Sequence, residues 1–160
     1  MSKYVTAPPL QQIVGEMTDH IKHEMERRSY LAANELRNAA QTVLRGQRSG
    51  HRYKVPGTYK RQRDRTDGKM KNGRYYTASA PGEPPAVRTG AFRMSWRPTA
   101  RVVYGSYISK IESEIRVGND EALGEILEEG TSKMAPRPYQ DAVLEKAKKP
   151  ILNIYNQPYF

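Results

Sequence analysis

Between Ser79 and Trp96 the chain reads SAPGEPPAVRTGAFRMSW, and no other stretch restricts its fold so tightly. Pro81, Pro84 and Pro85 fix φ and push the residues before them toward extended backbone, while Gly82 permits a turn between them. A helix cannot run through this proline segment. From Phe92 the pattern alternates, with Phe92, Met94 and Trp96 on one side and Arg93, Ser95 and Arg97 on the other. That period of two predicts a half-buried strand over roughly 91–97, stopped by Pro98.

A second punctuated segment, EILEEGTSKMAPRPYQDAV, runs from Glu125 to Val143. It reads as a short helix stopped by Gly130, then Pro136 and Pro138 leading into a new helix. Upstream, Leu10, Val14, Met17, Ile21, Met25, Ala32, Leu36, Ala39 and Val43 recur at steps of three and four, interrupted at Ser29, which predicts an amphipathic helix ending near Gly46. Residues 1–9, closing on Pro8 and Pro9, read as an arm. Further strands are expected at roughly 101–108 and 110–117, because Ile111, Ser113, Ile115 and Val117 alternate with Glu112, Glu114 and Arg116. Gly118-Asn119-Asp120 marks the exit from the sheet, and helices follow at roughly 121–129 and 138–155. Three or four strands covered by two helices make an α+β domain. A chain of 160 residues suits one such domain, here residues 10–160, with an inserted loop at 47–75 and a Pro-rich arm at 79–88.

The inserted loop holds most of the charge. Arg48, Arg52, Lys54, Lys60, Arg61, Arg63, Arg65, Lys69, Lys71 and Arg74 stand against Asp64 and Asp67, a net of +8 in a chain whose total is +10. Tyr53, Tyr59, Tyr75 and Tyr76 are interleaved with the cations, and glycines at 50, 57, 68 and 73 loosen the segment, in which no helical or strand period is visible. Three readings stay open: sequence-independent contact with DNA, docking on an acidic rim of a neighbouring protein, or a solvated loop.

Several classes of function find no support. The chain has no cysteine, so it carries neither a disulfide framework nor a thiolate metal site. It has no long apolar run and no secretory signal, which predicts a soluble protein made in a cytoplasm and no membrane partner. Tyr outnumbers Phe eleven to two, favouring amphipathic contact surfaces over a large sealed core. His20 and His23, with Glu16, Asp19, Glu24 and Glu26 near, have the spacing of a helical metal site, but no further ligand cluster completes it and a polar helix face is the simpler reading. His51 stands alone. Glu125, Glu128 and Glu129 lack a nucleophile or proton partner and read as a helix surface. No nucleophile elbow, phosphate-cradling loop or dinucleotide fingerprint occurs, so no enzyme activity and no cofactor are expected.

The two punctuated segments together resemble the tail-completion or head-tail joining proteins of lambdoid-type tailed bacteriophages. The resemblance rests on Ser79, Pro81, Gly82, Pro84 and Pro85; on Thr89, Gly90, Phe92 and Arg93; on Leu127, Glu128, Gly130 and Thr131; and on Arg137, Pro138 and Tyr139. It covers roughly residues 10–150, and the long basic loop departs from it. It implies a non-enzymatic virion protein of the neck, assembled in the bacterial host cytoplasm as a hexameric ring between capsid connector and tail. The implied partners are further copies of the chain, connector and tail-tube proteins, with DNA contact open. A tail terminator capping the tail tube, a stand-alone nucleic-acid-binding module and a hydrolase are the alternatives. Ring closure requires unlike faces to meet. Expected subunit contacts are Arg93, Arg97, Arg101 and Tyr104 against Glu112 and Glu114, with Pro81, Pro84 and Pro85 either a docking arm or a structural connection. Expected DNA or partner contacts are Arg52, Lys54, Lys60, Arg61, Arg63, Arg65, Lys69, Lys71 and Arg74.

Overall fold

The computed structural model describes residues 9–55, 62–63, 70–71, 74–104, 111–118 and 121–159. The arm before Pro9, Lys60, Arg61, Arg65, Lys69, Asn119 and Asp120 lie outside the described residues, and for Arg63, Lys71 and Glu112 the backbone alone is described. In chain order the elements are α1 (Leu10–Arg45), β1 (Arg52–Lys54), β2 (Gln62–Arg63), β3 (Met70–Lys71), β4 (Tyr75–Thr77), α2 (Ala91–Met94), β5 (Arg97–Tyr104), β6 (Ile111–Gly118), α3 (Glu121–Glu129) and α4 (Gln140–Tyr155). The fold is α+β: a long amino-terminal helix and a carboxyl-terminal helix with a small antiparallel sheet.

α1 is 36 residues long, about 54 Å at the usual rise, and it is the spine of the molecule. It starts directly after Pro9 and stops at Gly46, as its apolar period predicts. α4, the β5–β6 hairpin and α2 all pack on it. The core is narrow, because Ala39, Ala40 and Leu44 of α1 meet Tyr139, Val143 and Ala147, and the small alanines let the two helices approach closely. Ser29, the break in the apolar stripe, is fully buried; its hydroxyl donates to the Met25 carbonyl at 2.6 Å and receives the Tyr155 hydroxyl at 3.3 Å. Its neighbour Arg28, only 2% exposed, donates to the carbonyls of Gln157 and Pro158 at 2.6 Å each, and its guanidinium lies 3.9 Å from the centre of the Tyr159 ring. Burying this cation is tolerable because carbonyls, an aromatic face and Glu24 at 3.4 Å all serve it. The chain end is thereby tied back onto α1.

The other end of the stripe is not covered by the described chain. Leu10, Val14 and Met17 are 74%, 48% and 46% exposed.

Four expectations need correction. No strand runs over 91–97; Gly90, at φ +88°, opens the one-turn helix α2 and the strand begins at Arg97. In a helical turn Phe92 and Trp96, four apart, share a face and pack on the core, while Met94 falls off it and is 59% exposed. Pro98 does not stop the strand but lies within β5, opposite Val117; among the described strands β5 pairs with β6 alone, so Pro98 has an open side for its missing N–H. Among the described residues β5 and β6 make a two-stranded sheet rather than one of three or four strands. The basic segment, finally, is rooted in regular structure: β1 pairs antiparallel with β4 (Arg52↔Thr77, Tyr53↔Tyr76, Lys54↔Tyr75), and β2 pairs with β3.

Candidate functional site

The two segments that punctuate the sequence meet in space. The Gly82 amide, whose residue turns the Pro-rich run at φ +80°, donates to the Pro136 carbonyl at 3.1 Å. On the other side, Gly130 takes φ +80° to end α3, and a Cβ there would stand 2.6 Å from the Met134 carbonyl oxygen and 2.7 Å from the Pro136 nitrogen. Only glycine fits that double constraint. The turn continues with Arg137 N–H donating to the Leu127 carbonyl at 2.9 Å. Glu128 then accepts from the amides of Tyr139 at 2.9 Å and Gln140 at 3.4 Å, placing a carboxylate at the positive end of α4. Glu128 is thus a cap for another helix, a role its position on α3 conceals in the sequence.

Tyr139 seals the joint. It is 2% exposed, and its ring stands edge-on to both Phe92 and Trp96, each centroid 5.8 Å away. Phe92 and Trp96 themselves meet edge-on at 5.7 Å. The Tyr139 hydroxyl donates to the Gly124 carbonyl at 3.3 Å, and burial pushes its pKa up.

The Pro-rich segment is fastened to the end of α1. The Glu83 carboxylate accepts from the Ser49 hydroxyl at 2.6 Å, the Ser49 amide at 3.0 Å and the Ala80 amide at 3.0 Å, and these hydrogen bonds bring its pKa down to about 2. Arg48 donates to the carbonyls of Pro85 at 3.2 Å and Val43 at 2.9 Å. Pro85 is buried, Pro84 half-buried and Pro81 exposed, so the run is a packed connection with one proline at the surface. Sequence reading passed over Ser49 and Glu83; the signal was the lone carboxylate inside Pro-Gly-Glu-Pro-Pro.

The root of the basic ribbon carries cations on aromatic rings. The Arg52 guanidinium lies 4.5 Å and the Lys54 ammonium 5.8 Å from the Tyr75 ring centre. Tyr53 faces Tyr76 at 5.8 Å and His51 at 4.5 Å. Arg52, Lys54 and Arg74 are exposed.

The expected subunit contacts separate. Arg97 and Arg101 are exposed on the outer face of β5, whereas Arg93, on α2, is half-buried. Tyr104 turns onto α1 instead, donating to Glu26 at 3.0 Å and the Lys22 carbonyl at 3.1 Å; burial first, and the Glu26 carboxylate second, push its pKa up to about 12. It is an internal strut rather than an exposed contact. Glu114 lies opposite Arg101 and accepts from Arg116 at 2.8 Å, so its charge is already met within the subunit, and Glu112 is in register with Val103. On α1 the His20 ring nitrogen lies 2.9 Å from the Tyr159 carbonyl, and no group of three or more metal-binding side chains gathers among the described residues. No helix among those residues is long and apolar enough to cross a membrane. Comparisons with models of protein families, with curated proteins and with solved structures find no match.

Proposed function

We propose that this chain is a structural protein of the bacteriophage neck, a tail-completion or head-tail joining component that forms a ring, hexameric by resemblance, between capsid connector and tail. The observation that carries the reading is the bond from Gly82 to Pro136: the two motifs behind the resemblance, distant in sequence, are halves of one joint closed by Tyr139. A chance pair of turn signals has no reason to converge.

The surfaces suit an assembly subunit. Leu10, Val14 and Met17 present an apolar stripe on α1, while Leu123 and Ile126 on α3 and Leu144 and Leu152 on α4 are exposed elsewhere. Two unlike apolar faces on one subunit are what a closed ring of identical copies requires. Arg97 and Arg101 remain open for such contacts, and the ribbon offers Arg52 and Lys54 to an acidic neighbour. The role is non-enzymatic. A phage lacking the chain is expected to accumulate filled heads and complete tails separately, and adding the purified protein to the mixed parts restores joined particles. Joining without it would refute the proposal, and accumulation of tails of abnormal length would favour a tail terminator.

A further inference from the structure

Beside the ribbon root lies a cleft of about 640 Å³. Its walls come from three places: His51, Tyr53 and Tyr76 from the ribbon, Ser79 and Arg88 from either end of the Pro-rich run, and Arg137 from the turn before α4. Its lining sets two arginines, a histidine and two tyrosines among small residues, with no carboxylate in it. Among the described residues neither Arg88 nor Arg137 has a side-chain hydrogen bond or ion pair. The Ser79 hydroxyl, in a residue only 7% exposed, is buried without a hydrogen-bond partner. That hydroxyl is closed off from the cleft, whereas Arg88 is exposed and Arg137 half-buried, so with no acid in the lining both guanidiniums are open to an anion.

We infer that this cleft binds a single strand of nucleic acid, its phosphates on Arg88 and Arg137 and a base against the Tyr53 and Tyr76 rings. Stacking is the part that selects the ligand class. An acidic peptide satisfies the arginines but has no use for the aromatic wall, and a duplex keeps its bases stacked on one another and closed to tyrosine. The wall is preformed, since Gly50 continues the ribbon pairing and lets the run pass close: its amide donates to the Ala78 carbonyl at 3.0 Å, and a Cβ there would come within 2.6 Å of that oxygen and 3.0 Å of the Ala80 nitrogen. The ribbon's other face, with Arg52 and Lys54 on Tyr75, supplies a second cationic surface next to the cleft. This inference stands on the cleft alone and does not depend on the neck reading.

The test is fluorescence anisotropy of labelled oligothymidine with the full-length protein, beside a duplex of equal length, with poly-glutamate as competitor. Oligothymidine is expected to bind more tightly than the duplex, with affinity falling as salt rises. Arg88→Ser with Arg137→Ser, and separately Tyr53→Ser, are each expected to weaken it about tenfold or more, while thermal melting confirms that the variants fold. Equal binding of duplex and single strand, indifference to these substitutions, or no binding at low salt overturns the inference. Displacement by poly-glutamate as effective as by unlabelled oligothymidine at matched charge, and unchanged by Tyr53→Ser, overturns it in favour of an acidic protein partner.

Discussion

The ring of Tyr139 stands at 80° to the indole of Trp96, their centres 5.8 Å apart, and this edge-on contact joins the Pro-rich half of the molecule to its closing helix. Tyr139→Ala is expected to destabilise the protein by about 3 kcal/mol or more, the usual result of truncating a buried aromatic. Tyr139→Phe keeps the stack and loses the bond to Gly124, a loss of about 1 kcal/mol. Urea unfolding of the two variants distinguishes packing from hydrogen bonding; equal losses would contradict this account.

Gly130 and Gly82 both have φ +80°, but a Cβ meets backbone within 3 Å at Gly130 and nothing within 4 Å at Gly82. Gly82→Ala is expected to cost about 1–2 kcal/mol, the left-handed penalty alone. Gly130→Ala should cost clearly more, because the turn to Pro136 must also open. Matching melting temperatures for the two variants would show that the close approach at Gly130 is slack.

Acid should loosen the tie between the Pro-rich run and α1. The folded-state pKa of Glu83, about 2, lies below the ordinary 4.5, so its contribution is complete above pH 4.5 and is lost as pH falls toward 2. Glu24, lowered chiefly by its hydrogen bond from Arg27, contributes with the same sign. Chemical denaturation between pH 7 and pH 2 is expected to show a steeper loss in the wild type than in Glu83→Gln. Parallel curves would mean that the bonds from Ser49 and Ala80 do not favour the ionised form.

Glu114 calls for a paired substitution. Because it lies opposite Arg101 and beside Arg116, Glu114→Lys sets like charges across the hairpin and weakens the subunit itself, by up to about 1 kcal/mol. Exchanging the pair, Glu114→Lys with Arg101→Glu, should recover much of that stability. If the β5–β6 face also meets a neighbouring copy, the exchanged protein folds well but joins heads to tails poorly. Normal joining by a stable exchanged protein removes this face from the interface.

Much of the frame was legible in the sequence, and the misreadings have physical causes. The bounds of α1 and α3 followed from apolar period and glycine stops. The Phe92-Met94-Trp96 alternation misled because the ends of a period-two triplet also lie four apart, and the left-handed Gly90 decided for a helical turn. The ribbon root escaped notice because β1 and β4 are three residues each and draw their order from Tyr53 on Tyr76 and Lys54 on Tyr75, partners across a long insertion. Leu10, Val14 and Met17 were correctly placed on one stripe, but period reports a shared face and not what covers it. The cleft was invisible for a related reason: Arg88 and Arg137 acquire meaning only once the two motifs meet.

The most direct measurement of the central claim is electron microscopy of intact particles, locating this chain relative to the connector and tail tube. The account predicts a closed ring of copies at the head-tail junction, with Gly82 bonded to Pro136 inside each subunit and the apolar stripe of α1 covered by a neighbour. Particles that are complete and joined with no copy of the chain at the neck would contradict it.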